Sequence, residues 1–115
     1  MLLIEDDPDN RALFAELLAE ARIDALCVSH DALPEPDPFQ LVVTDLPSQV
    51  GYSTAGAKDW VTLLLSRYRA PVIVVTGRHE ARAELRNVAA VIEKPIDIDS
   101  FVATIRATAL ESSGP

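Results

Sequence analysis

Leu41-Val42-Val43-Thr44-Asp45 is the stretch on which the fold turns. Its apolar residues are continuous rather than alternating, the pattern of a strand covered on both faces, and the run ends on a hydroxyl and an acid. Four further runs of this kind lie on either side: Leu2 to Ile4, Ala25 to Val28, Val72 to Val75 and Ala89 to Ile92. Between them the spacing becomes helical. Asp7-Pro8 reads as an N-cap followed by proline at the first helical position, and Leu13, Phe14, Leu17, Leu18 and Ala21 then line one face. Ala57, Trp60, Val61, Leu64 and Tyr68 form a second stripe, and Ile98, Phe101, Val102, Ile105 and Ala109 a third. Strands alternating with helices predict right-handed crossovers and a parallel sheet covered on both sides, an α/β domain.

Two crossovers are weak. Pro34-Glu35-Pro36-Asp37-Pro38 cannot continue a helix, so the connection from the second to the third strand has room for at most a turn or two after Ser29. The segment Arg78 to Asn87 has only Leu85 nearby as a large apolar anchor, with Val88 just beyond, which predicts another short helix. No repeat or linker divides the chain. Residues 1–110 are expected to form one domain and 111–115 a flexible tail.

Composition excludes several classes. The chain of 115 residues carries 10 Lys+Arg against 18 Asp+Glu, a net charge of −8, and its aromatic content is only 5%. That balance opposes direct binding of nucleic acid. The lone Cys27 excludes an intramolecular disulfide and reads as a small core residue. His30 and His79 stand far apart and read as solvated, so no zinc module is expected. No apolar run approaches the roughly 18 residues a membrane span needs, and no basic leader precedes Leu2. A cytoplasmic domain without membrane contact is expected. Trp60 reads as helix packing, too distant to report on a bound ion.

The residues just beyond the strands carry the chemistry. Ile4 leads to Glu5-Asp6-Asp7, Val43 to Thr44-Asp45, Val75 to Thr76, and Ile92 to Glu93-Lys94. In an open parallel sheet the carboxyl ends of the strands share one edge, where ligands bind. Acids gathered there repel one another and call for a hard cation; Mg²⁺ fits, since it takes one or two carboxylates and keeps several waters. Thr76 and Lys94 then suit a phosphoryl group, by hydrogen bonding and by charge. Singly, each residue has a plainer reading: Glu5-Asp6-Asp7 as helix capping, Asp45 as a loop acid, Thr76-Gly77 and Lys94-Pro95 as turns.

In this order, at these strand ends, the residues resemble the receiver domain of bacterial two-component response regulators over nearly the whole chain, Leu2 to about Leu110. The resemblance implies a single flavodoxin-like, doubly wound, five-stranded parallel sheet of order 2-1-3-4-5, here with shortened helices 2 and 4. It implies Asp45 as phosphoacceptor, with Thr76 and Lys94 completing the reaction site. Mg²⁺ would be held by Glu5, Asp6, Asp45 and the Pro47 carbonyl, with Asp7 better suited to capping. The Lys94-Pro95 peptide would be cis. Lys94 is expected to pair with Asp45 until a phosphoryl group arrives. The implied partners are a sensor histidine kinase or histidine phosphotransfer protein and a downstream effector. The domain is then a signalling module rather than an enzyme, limited to its own phosphorylation and slow self-dephosphorylation.

The chain also departs from the family's pattern. Pro47 comes two places after the acceptor and Gly51 six, Gly77 stands where alanine is common, Thr76 and Lys94 are closer together than usual, and Val91 replaces an aromatic switch residue. Two other readings therefore stay open. One is a receiver-like module that docks proteins with little or no phosphorylation; the other is an aspartate-nucleophile phosphatase, although Thr44-Asp45-Leu46-Pro47 lacks that class's second acid.

Overall fold

The computed structural model describes residues 1–36, 38–46, 54–77 and 81–112. Five strands, β1 (Leu2–Ile4), β2 (Leu26–Val28), β3 (Val42–Asp45), β4 (Val72–Thr76) and β5 (Ala90–Glu93), are all parallel and ordered β2-β1-β3-β4-β5. Helices α1 (Pro8–Glu20), α2 (Thr54–Tyr68), α3 (Ala81–Glu84) and α4 (Ile98–Ser112) connect or flank them. Each strand falls on one of the five apolar runs, and the order is the one expected.

The continuous runs split their side chains between two cores. Leu2, Ile4, Val42, Val72, Val74 and Val91 face α2, where Ala57, Val61, Leu64 and Tyr68 are buried. Leu3, Val43, Ile73 and Val75 face α1 and α4, where Phe14, Leu18, Phe101 and Ile105 are buried. Phe14 and Phe101 meet with ring centroids 5.5 Å apart, tying the two helices together. Period-two alternation is thus present although both sets are apolar, because helices cover both faces. On α1, Asp7 accepts a hydrogen bond from the Asp9 N–H at 3.0 Å, the cap read from Asp7-Pro8.

Both weak crossovers are short. β4 leads to the four-residue α3, and β2 leads only to a 3-10 turn, His30–Ala32. The described residues of the proline segment carry no helix, and its Pro34 carbonyl fastens it to α2. Pro34 O accepts from Arg67 Nε at 3.1 Å, Arg67 Nη2 at 2.7 Å and the Tyr68 hydroxyl at 2.8 Å, while Phe39 stands edge-on to the Tyr68 ring. The Lys94-Pro95 peptide is cis.

Phe101 is fully buried, so Phe101→Ala is expected to cost about 3–5 kcal/mol. Tyr68→Phe leaves Pro34 O with its arginine donors and should cost only about 1 kcal/mol. Urea unfolding of both variants beside the parent checks that order.

Candidate functional site

Register brings the strand-end residues together. Ile4 is paired with Thr44, so the next residue of each strand, Glu5 and Asp45, emerge side by side. Asp45 is paired with Val75, one place before Thr76, and Thr76 with Glu93, one place before Lys94. The Lys94 N–H donates to Thr76 O at 2.8 Å, which fixes the start of the loop beyond β5.

Glu5 is the most constrained of these side chains. It is 2% exposed, and among the described residues neither carboxylate oxygen has a hydrogen-bond donor. Its nearest countercharge is Lys94 Nζ, 3.9 Å from Oε1, and its backbone oxygen accepts from Arg11 Nη1 at 2.9 Å. Lys94 therefore faces Glu5, whereas the expected partner was Asp45. Asp6 is half exposed, Asp7 is occupied as the cap, and Thr76 is buried at the end of β4. Pro47, expected to offer its carbonyl, and Gly51 lie outside the described residues. Gly77 is exposed, and a Cβ added there would meet nothing within 4 Å among the described residues.

Asp45 is held by a residue whose expected place was in solvent. The His30 side chain is only 9% exposed, with Nε2 2.5 Å from Asp45 Oδ1 and Nδ1 3.8 Å from Asp6 Oδ1. Its ring stands edge-on to Trp60, centroids 5.0 Å apart. Trp60 Nε1 donates to Thr44 Oγ1 at 3.0 Å, and the Thr44 hydroxyl donates to Asp45 O at 2.7 Å. Trp60 is thus two contacts from the acidic centre, not remote from it. The sequence does carry a signal for His30, since Val28-Ser29-His30 also ends a strand. The signal is weak because β2 is an edge strand, separated from β3 by β1. The 3-10 turn carries the imidazole across that gap.

The charges shift one another. Burial pushes Glu5 up to about 7, the neighbouring Asp45 carboxylate adds to the rise, and Lys94 opposes it. Burial opposes a charged His30, but the hydrogen bond to Asp45 and the charges of Asp45, Asp6 and Glu5 prevail and raise it. Burial likewise works against the Asp45 carboxylate, yet the hydrogen bond from His30, the neighbouring Glu5 carboxyl, the His30 charge and the Asp6 backbone N–H together hold it below the usual range. Cys27, partly buried, is raised by burial.

Among the described residues no three His, Cys, Asp or Glu side chains form a ready metal shell. The donor set nonetheless suits a hard divalent cation: two buried Glu5 oxygens without donors, beside the carboxylates of Asp45 and Asp6. Among the described residues no helix is long and apolar enough to cross a membrane.

No protein-family model and no curated protein matches the chain. Solved structures do. The non-phosphorylated receiver domain of HemR from Leptospira biflexa is similar with a TM-score of 0.74 at 23% identity, over 95% of this chain and 92% of that one. A CheY-like response regulator receiver domain protein from Methanospirillum hungatei JF-1 gives a TM-score of 0.71 at 17% identity, over 96% and 93%. The receiver domain of the sensor histidine kinase PA1611 from Pseudomonas aeruginosa PAO1, with a magnesium ion coordinated in its active-site cleft, gives 0.66 at 14%, over 94% of each chain. In strand order, strand direction and coverage, the chain has the flavodoxin-like fold of response regulator receiver domains.

Proposed function

We propose that this chain is a phosphoaccepting receiver domain of two-component signalling, with Asp45 as the residue that carries the phosphoryl group. The observation that supports this most is the convergence of Glu5, Asp45, Thr76 and Lys94 on one edge of a sheet with the receiver order. Asp45 attacks the phosphorus of a phosphohistidine on a sensor kinase or phosphotransfer protein: the new bond forms from a carboxylate oxygen as the bond to the histidine nitrogen breaks. The lowered proton affinity of Asp45 keeps it ionised for that attack. Thr76 donates a hydrogen bond to the arriving phosphoryl oxygens, and Lys94, now facing Glu5, supplies positive charge to them. Glu5, Asp6 and Asp45 are the residues that would hold Mg²⁺, with the Pro47 carbonyl; the bound ion supplies charge neutralisation for the phosphoryl oxygens. The partners in this role are the phosphohistidine donor and a downstream effector, and the compartment is the cytoplasm.

Docking without phosphorylation is the second reading, favoured by the His30 contact that occupies Asp45 Oδ1. A radiolabelled phosphodonor separates the two. With Mg²⁺ and acetyl phosphate the parent is expected to be labelled and Asp45→Asn to be unlabelled; label on Asp45→Asn equal to that on a labelled parent would remove Asp45 from the role.

The metal reading has a pH signature. Glu5 binds its proton more tightly in the fold than unfolded, so its contribution to stability is full below about 4.5 and is lost as pH rises through about 7. His30, raised from 6.5, has the same sign. In EDTA the melting temperature should therefore fall across this range, and less steeply for Glu5→Gln. Mg²⁺ should restore the parent more at pH 7.5 than at pH 5, where the Glu5 proton competes with it. A Mg²⁺ effect identical in Glu5→Gln would count against Glu5 as a ligand.

A further inference from the structure

His30 is placed with more care than a surface histidine needs. Its turn is fastened through the three hydrogen bonds on Pro34 O, its ring is packed edge-on to Trp60, and Trp60 is fixed to Thr44 at the end of β3. The result is one imidazole nitrogen on one oxygen of Asp45. An ionised carboxylate accepts hydrogen bonds only, so Nε2 donates.

Resting on the reading of Asp45 as phosphoacceptor, we infer that His30 is a further catalytic residue of this reaction, a donor to Asp45 Oδ1 that shortens the life of the aspartyl phosphate. A carboxylate carries full negative charge, whereas in the acyl phosphate one oxygen is bonded to phosphorus and the other is a neutral carbonyl. A charge-assisted hydrogen bond is roughly twice as strong as a neutral one, so the His30 N–H favours free Asp45 over phosphorylated Asp45. In hydrolysis a water oxygen bonds to phosphorus, and the bond from phosphorus to Asp45 breaks with its electron pair returning to the carboxylate. The water's protons are shared between the phosphate product and solvent. The loose transition state places charge on the departing carboxylate, where His30 already donates. In the forward direction Asp45 is still largely a carboxylate at that transition state. The donor therefore changes the rate of formation little and the rate of loss much.

The test measures decay after labelling with radioactive acetyl phosphate and Mg²⁺ and then removing the donor. His30→Phe keeps a ring against Trp60 but has no N–H, and its phospho-form should last about ten times longer than the parent's while forming at a similar rate. His30→Gln retains a donor and should stay near the parent. Trp60 emission and thermal unfolding check that each variant is folded, and His30→Leu takes the place of a His30→Phe that is not. Equal lifetimes for parent and His30→Phe overturn the inference, as do equally long lifetimes for the Phe and Gln variants. Label confined to His30→Phe supports it in its strongest form. Label retained in Asp45→Asn, or absent from parent and His30→Phe alike, overturns the Asp45 reading and this inference with it.

Discussion

Two carboxylates held side by side at the ends of adjacent parallel strands are the constraint to which the rest of this structure answers. The pairing of Ile4 with Thr44 leaves no freedom in the matter, because a register shift of one residue would turn every core side chain of β1 to the wrong face. Glu5 and Asp45 must then share one partly dry region, and each is treated differently. Asp45 receives the imidazole of His30 and an N–H from Asp6 and stays ionised. Glu5 has Lys94 at the edge of ion-pair range and, among the described residues, no hydrogen-bond donor, and it binds a proton up to about 7. Neighbouring acids whose proton affinities are pushed apart in this way are a common feature of functional sites.

The truncated second crossover is the other half of the arrangement. Three prolines from Pro34 to Pro38 disfavour a helix there, and the connection is secured to the end of α2 by the Pro34 carbonyl. A helix starting after Ser29 would run away from the sheet edge. The 3-10 turn instead keeps His30 over the end of β1 and within reach of β3. What looks like a lost element thus adds a residue to the centre.

Much of this is legible in the sequence because strand and site signals coincide. Continuous apolar runs mark five strands, and the residues at their ends name Glu5, Asp45, Thr76 and Lys94. The helical stripes are readable in part: Ala57, Val61, Leu64 and Tyr68 are all buried and the Asp7 cap forms as expected, but Leu13, placed on the first stripe with Phe14 and Leu18, is 52% exposed. Pairing is harder. Lys94 follows β5, separated from both acids by at least β4, and only side-chain reach decides that it meets Glu5. His30 escapes a reading by sequence because edge-strand position argues for solvent, and spacing says nothing about how a proline-bound turn bends. Trp60 reads by its apolar face alone, although its indole N–H needs a partner when half buried.

The contacts around Asp45 also have a direction. From Asp45 they run through His30 and through Thr44 to Trp60, and so into α2, whose inner face packs on Ile4, Val42 and Val74. Val91 in β5 lies 8% exposed within that same core, and a β-branched side chain there has few rotamers to exchange. Well-packed cores respond in discrete steps rather than by gradual yielding, so a change at Asp45 is passed on where a side chain with a polar tip can let go of one partner. Trp60, with one hydrogen bond and one ring contact tied to the acidic centre, is such a side chain; Val91 is not. The physical path from Asp45 therefore leads to the helix after β3, through an indole and an imidazole.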